Sequence, residues 1–288
     1  MRGWQVAVRN GLRRLGLTGP LTHLVQWRHM QRYRRFRREY ERTRPTKCSV
    51  TTGPYTFDLS IRNADEYCRF SAFYEAPVID ALLSGARPGE VVWDIGANVG
   101  LYTMMLARAV TPGGRVYAFE PAPDSAGRIV EHTTANGVEN YELFNMALGR
   151  ERGSLLLSDP EPFSPVRRLL DPGERAEAGV IEVAVETGDD LRASRGLPVP
   201  ALVKIDVEGA EEGVMLGMRK TLADPACRTL VCEVHFSILA ERGDSQAWQR
   251  IEQLLRSCGF DQQRWIAQSH LAAQKSAPDG RSNGQQPA

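Results

Sequence analysis

Two acidic residues close consecutive apolar runs: Asp94 in Val91-Val92-Trp93-Asp94-Ile95, and Glu120 after Val116-Tyr117-Ala118-Phe119. The turn Gly96-Ala97-Asn98-Val99-Gly100 follows the first run. Gly96 and Gly100 carry no Cβ, so the backbone can bend tightly there and a ligand can approach it closely. Asn98 has a side chain that tolerates a left-handed backbone. By itself such a turn serves equally as a plain strand-to-helix junction. Spacing separates the two readings. Glu120 stands 20 residues after Gly100, and in a doubly wound sheet the carboxyl ends of the first two strands lie side by side at a crevice. A carboxylate in that place can accept hydrogen bonds from both hydroxyls of a ribose. A third run ends in Asn145-Met146-Ala147, which places Met146 either against a purine ring or in the core. Farther along, Lys204, Asp206 and Glu208 alternate, as do Glu233 and His235; alternate side chains of an extended segment share a face.

The elements that must position these residues are legible as alternation. Residues 91–95 break on glycine and suggest a buried parallel strand. Residues 101–110 have helical periodicity and stop before Pro112-Gly113-Gly114; residues 115–120 form the next strand, and 123–136 a helix that closes at Asn136-Gly137. Strands are expected over 141–148, 201–207 and 229–236, with helices over 211–223 and 247–260. This rhythm predicts an α/β fold, a mainly parallel sheet with helices on both faces. Residues 56–61 alternate and suit a hairpin ahead of the core. Residues 154–158 and 180–186 flank a Pro- and Arg-rich insert, 159–178, and read as an antiparallel addition with the insert looping over the site.

Trp93-Asp94-Ile95-Gly96-Ala97-Asn98-Val99-Gly100, then Ala118-Phe119-Glu120-Pro121, Lys204-Ile205-Asp206-Val207-Glu208-Gly209-Ala210-Glu211 and Cys232-Glu233-Val234-His235 follow in that order. The combination resembles the FkbM-type methyltransferases over about residues 75–260. That resemblance implies a doubly wound, mostly parallel, seven-stranded Rossmann-like sheet and S-adenosyl-L-methionine as cofactor. It implies methyl transfer to a hydroxyl oxygen on a natural product, sugar or glycolipid. Asp94, Gly96, Asn98, Gly100, Glu120 and Met146 are then the cofactor-binding residues.

Methyl transfer from a sulfonium is an in-line displacement, and an alcohol acceptor must also lose a proton. Asp206, at a strand's carboxyl end, is expected to order the amino acid end of the cofactor or the acceptor. His235, an imidazole that ordinarily titrates near neutrality, is the expected general base; a structural or orienting role is the alternative. Lys204, Glu208 and Glu233 are assigned to the substrate, although Lys204 and Glu208 could simply pair. Asp206, Glu233 and His235 could also cup a divalent cation, but no metal is assigned.

The total charge of +1 conceals an uneven distribution. Residues 1–47 hold 13 Lys and Arg against 2 Asp and Glu, a local +11 that leaves −10 on the rest. Within this arm Tyr33, Phe36 and Tyr40 fall on one helical face among arginines. The pattern suits an anionic membrane surface, nucleic acid, or a solvated helix packed on the domain. The expected organisation is an arm over 1–47, a methyltransferase domain over 48–268, and a disordered polar tail over 269–288. Five scattered cysteines without a Cys-x-x-Cys pair argue against disulfides and zinc, and no signal-like or membrane-spanning run is seen, so the expected location is cytoplasmic or peripheral to a membrane. Two rival classes call for other motifs. A nicotinamide-dependent oxidoreductase would carry Gly-x-Gly-x-x-Gly, where this chain has Asn98 in the middle position. A methyltransferase for base nitrogens would carry Asn/Asp-Pro-Pro-aromatic, where this chain has Asp206-Val207-Glu208-Gly209, so no specific nucleic acid is expected; a protein acceptor is the remaining variant.

Overall fold

In the computed structural model, which describes residues 20–73, 75–158 and 179–276, the short apolar runs become strands of one sheet. Helix α1 (Pro20–Thr43) leads to a hairpin, β1 (Lys47–Thr52) and β2 (Tyr55–Ser60), then to helices α2 (Ala64–Ser71) and α3 (Ala76–Gly85). The first half of the sheet follows as β3 (Val91–Ile95), α4 (Leu101–Ala109), β4 (Arg115–Phe119), α5 (Pro123–Ala135) and β5 (Tyr141–Phe144). A small separate sheet comprises β6 (Ala147–Leu148), β7 (Gly153–Ser158) and β8 (Val180–Glu186), followed by α6 (Gly188–Arg195). The second half contains β9 (Leu202–Ile205), α7 (Glu211–Gly217), α8 (Arg219–Ala223), β10 (Thr229–Glu233), α9 (Phe236–Glu241), α10 (Ala247–Ser257), β11 (Gln262–Trp265) and β12 (His270–Gln274).

The strand order is β11-β12-β10-β9-β3-β4-β5. All neighbours pair in parallel except β12, which runs antiparallel to both β10 and β11. From β3 the chain builds outward through β4 and β5, and later from β9 through β10, so the order reverses between β3 and β9. A crevice opens at the carboxyl ends of the strands at such a switch point.

The sheet is buried on both faces, as a parallel sheet must be. On one side Val92, Leu202 and Val231 pack with Met104, Met105 and Leu106 of α4 and Val78 and Leu82 of α3. On the other, Trp93, Ile95, Val203, Ile205 and Cys232 pack with Val214 and Met215 of α7 and Ile251 and Leu255 of α10. Trp93, Phe119 and Phe144 stack along this second face, with ring centroids 5.1 and 5.2 Å apart. Aromatic pairs of this kind add about 0.5–1.5 kcal/mol each beyond their area burial.

Several expectations need correction. The polar tail does not begin at residue 269: His270–Gln274 is a strand in the middle of the sheet, and Leu271, Ala272 and Ala273 are buried. Three apolar residues sufficed because β10 and β11 supply both of its hydrogen-bonding edges. The domain therefore runs to at least residue 276, and residues 277–288 lie outside the described residues. The third apolar run divides at Asn145-Met146 into β5 and β6, which join different sheets. The helix expected over 211–223 is interrupted at Met218, whose φ is −123°; just before the break Gly217 lets the backbone pass Gly149, whose carbonyl oxygen a Cβ there would meet at 1.8 Å. The antiparallel pair β7–β8 is present, while the insert 159–178 lies outside the described residues.

Candidate active site

The glycine turn connects β3 to α4 at the switch point. Gly96, Asn98 and Gly100 have φ of 79°, 53° and 85°, the left-handed region that the residue types anticipated. A Cβ on Gly96 would lie 1.8 Å from the Asp206 carbonyl oxygen, so only glycine lets this turn pass the end of β9.

Glu120 fixes the turn from the neighbouring strand. One carboxylate oxygen accepts the Asn98 N–H at 2.8 Å, and the other accepts the Ala122 N–H at 2.9 Å. Asn145 donates its side-chain amide to the Glu120 and Pro121 carbonyls at 2.8 and 3.0 Å. A cavity opens beside this arrangement, lined by Gly96, Asn98, Glu120, Met146, Asp206 and Glu208, with Phe119, Leu148, Leu157 and Val207 as apolar walls. It therefore combines the Glu120 carboxylate, apolar walls and the acidic groups of Asp206 and Glu208.

Asp94 and Lys204 lie beneath the turn rather than in the cavity. Asp94 is fully buried and accepts the Thr103 hydroxyl at 2.6 Å. Lys204, 5% exposed, lies 3.4 Å from Asp94 and 3.3 Å from Asp206, and donates to the Gly96 carbonyl at 3.1 Å. Burial alone would lower its pKa; the Asp206 and Asp94 carboxylates more than offset this and raise it. The ring of Tyr102 covers the ammonium at 5.1 Å, and the Tyr102 hydroxyl donates to Glu75.

The acidic face continues into a histidine cluster. His235 Nδ1 lies 2.7 Å from Glu211, and its Nε2 lies 3.2 Å from Glu208 and 3.7 Å from Asp206. Burial would lower the His235 pKa, but the hydrogen bond to Glu211 and the charges of Glu208, Glu211 and Asp206 bring it up to about 9. Burial raises the Glu208 carboxyl to about 7, against the opposing pull of His235. Glu208 also has a φ of 51°, a costly conformation for a residue with a Cβ. Asp206, Glu208 and His235 offer ligand atoms that all lie within 4.8 Å of one another, close enough for a cation. Lys204 beside Asp206 and His235, with its pKa raised to about 9, both bring positive charge to these carboxylates.

A family model described as the methyltransferase FkbM domain matches residues 94–261, more than half of the chain and every element named above from Asp94 to Gly259. The chain belongs to the FkbM methyltransferase family. Its cofactor is S-adenosylmethionine. The 31-O-demethyl-FK506 methyltransferase FkbM of Streptomyces tacrolimicus is 32% identical over 181 residues, covering 52% of this chain and 66% of that protein. The hexuronic acid methyltransferase AglP of Haloferax volcanii is 26% identical over 185 residues, covering 64% and 72%. The chain thus spans about two thirds of the length of these curated relatives. A crystal structure of methyltransferase FkbM from Methylobacillus flagellatus KT aligns with a TM-score of 0.44 at 14% identity, over 74% of this chain and 56% of that one.

In this FkbM methyltransferase the expected residues separate into three groups. Gly96, Asn98, Glu120, Met146, Asp206 and Glu208 converge on the cavity. Asp94, Gly100, Lys204 and His235 are not among the residues lining it; the first three shape the turn from behind, and His235, the expected base, stands behind Glu208. Glu233 is displaced from its expected place beside His235. It is held by Ser269 at 2.8 Å and by His270 at 3.3 Å, its cross-strand partner. Burial would raise the Glu233 pKa, but the His270 contact and the Ser269 hydroxyl hold it at about 2. The pairing of Lys204 with Glu208 also gives way, since Lys204 turns to Asp94 and Asp206. Sequence reasoning missed Thr103, Tyr102, Glu75, Glu211 and His270. Glu211 stood within the quoted Lys204–Glu211 segment, three residues after Glu208, and that helical offset was its available signal.

Proposed function

We propose that this FkbM methyltransferase transfers the methyl group to a hydroxyl oxygen of a hydroxylated small molecule, such as a hexuronic acid or a natural product. The single observation that carries this reading is the position of Glu208. It lines the cavity and also touches His235, and its carboxyl is raised to about 7, which supports a role as proton acceptor. A general base works best when its pKa lies near the working pH. The names of the two relatives, a 31-O-demethyl-FK506 and a hexuronic acid methyltransferase, fit a hydroxylated acceptor.

The cavity residues suit the cofactor. Glu120 presents a carboxylate to a vicinal diol, Met146 and Phe119 an apolar seat for a purine, and Asp206 an anion for an ammonium group. When bound, the cofactor supplies an electrophilic methyl on sulfonium, which leaves as a neutral thioether. Glu208 takes the hydroxyl proton as the oxygen attacks. His235, protonated at neutral pH and held by Glu211, reaches Glu208 with Nε2 at 3.2 Å and favours the carboxylate form that accepts the proton. This assigns the base to Glu208 rather than to His235, and leaves Asp206 as the group between Lys204 and His235.

Methyl-labelled S-adenosylmethionine, offered with a panel of hexuronic acids, their glycosides and macrocyclic alcohols, tests the reading. The expected product is an alkali-stable methyl ether, and Glu208→Gln should slow its formation by about 10²–10⁴-fold. An alkali-labile methyl ester, or label on nitrogen, would overturn it. A chelator is expected to leave the rate unchanged; loss of activity restored by magnesium would show that a cation takes the place assigned to the imidazolium.

A further inference from the structure

We infer that helix α1 is a rigid electrostatic flange that seats the protein on an anionic lipid surface through one row of arginines. The helix has two unlike sides. Tyr33, Phe36 and Tyr40 face α2: the Tyr33 hydroxyl bonds Asp65, and Phe36 and Tyr40 stack on Tyr67 at 6.3 and 5.8 Å. Arg37 lies 3.4 Å from Asp65 on the same side. Both acids of the arm are also engaged near this side, Glu41 with Arg37 at 3.7 Å and Glu39 with the Tyr67 hydroxyl.

The opposite side carries four arginines against one acid, Glu39, which borders the same surface hollow as Arg35, Arg38 and Arg42. At 100° per residue, Arg34, Arg35, Arg38 and Arg42 fall within an arc of about 100° centred away from the three aromatics, along about 12 Å of axis. All four are exposed, and among the described residues none has a carboxylate partner. A cluster of guanidinium groups on a straight axis, all tangent to one plane, fits a flat array of phosphates. The aromatics that could have stacked on unpaired bases are turned inward and already occupied. Upstream in the sequence, Trp4, Val6, Val8, Leu12, Leu15 and Leu17 interleave with Arg9, Arg13 and Arg14, a composition suited to a headgroup interface. The remaining chain is net negative, so the arm is the face on which attraction concentrates.

The flange is also firmly joined to the catalytic domain. Glu66 of α2 forms a buried ion pair with Arg128 of α5, and both side chains are 2% exposed. The chain leaving α2 places Phe73 and Glu75 against Tyr102, beside Lys204. Surface attachment would therefore fix the orientation of the domain as well as its location.

Cosedimentation of the full chain with phosphatidylcholine vesicles, with and without phosphatidylglycerol, tests the inference. Each arginine near an anionic surface contributes about fivefold in partitioning, so the variant Arg34→Ser/Arg35→Ser/Arg38→Ser/Arg42→Ser should bind several hundred-fold more weakly, on the order of the product of four such factors. The four-lysine counterpart should bind like the parent, added salt should release the protein, and neutral vesicles should not retain it. The serine variant should keep the parent's melting temperature. The inference is overturned if the serine variant binds anionic vesicles as well as the parent, or if the parent does not bind them. It is equally overturned if short RNA or DNA duplexes are bound through these arginines while vesicles are not.

Discussion

Replacing Glu211 by glutamine should convert the histidine at the active site from a stable cation into a group that titrates close to neutrality. In the parent, His235 is raised from 6.5 to about 9, and the hydrogen bond from Nδ1 to the fully buried Glu211 is the largest cause acting upward. A shift of that size corresponds to roughly 3 kcal/mol of preferential binding of the proton by the folded state. The His235 side chain is 14% exposed, so screening by solvent is modest. Glutamine keeps an acceptor but removes the charge, leaving Glu208 and Asp206 as the groups that still raise the pKa. A fall of at least about one unit is expected, and with it about 1.4 kcal/mol of stability at pH 7. The sign follows from linkage: a raised histidine stabilises fully below its unfolded value of 6.5 and loses that contribution as pH rises through 9. Melting temperature should thus fall between about pH 6.5 and 9 in the parent, and in Glu211→Gln the decline should begin at the same pH but be smaller and end at a lower pH. The assay is a proton–carbon correlation titration of the five histidines, with His235 assigned by His235→Asn. If His235 titrates below 7 in the parent, or is unmoved in Glu211→Gln, the electrostatic account of the site is wrong.

Other outcomes follow from the same contacts. Gly96→Ala forces a Cβ to within 1.8 Å of Asp206 O at a φ of 79°; calorimetry should show no cofactor binding, and a denaturant midpoint should reveal a loss of several kcal/mol, beyond the ~1–2 kcal/mol of a left-handed alanine alone. Glu120→Gln opposes a donor to either the Asn98 or the Ala122 N–H, so titration calorimetry should find S-adenosylmethionine binding weakened by about 10–100-fold. Glu66→Gln strands Arg128 in the core, with an expected cost of about 3–5 kcal/mol by urea denaturation; a loss under 1 kcal/mol would mean that the pair is solvated.

The convergence of Gly96, Asn98, Glu120 and Met146 on one cavity was legible because its signals are local. A glycine turn, a carboxylate at the next strand end and Asn145-Met146 each depend on one strand-to-helix or strand-to-loop junction, and parallel topology then places them together. The acceptor half depends on partners far apart in the chain. Glu233 finds His270 only because β12 inserts antiparallel beside β10, and the short Leu271-Ala272-Ala273 run inside a polar stretch concealed that strand. Lys204 meets Asp94 because β3 and β9 pair with those two residues in register, which outweighs the neighbouring Glu208 along its own segment. The aromatic face of α1 was visible as periodicity, but its occupant, α2, was not. The basic pattern alone therefore could not distinguish a docked side from a free one. Among the described residues no helix is long and apolar enough to cross a membrane.

The lysine beneath the glycine turn has a kinetic consequence. Its bond to the Gly96 carbonyl, with Thr103 and Glu120 holding the flanks, fixes the loop through contacts of the protein itself. Little ordering entropy then remains to be lost on association. Capture of the cofactor should be limited by encounter and desolvation, and its release by the side-chain walls rather than by reopening of the backbone.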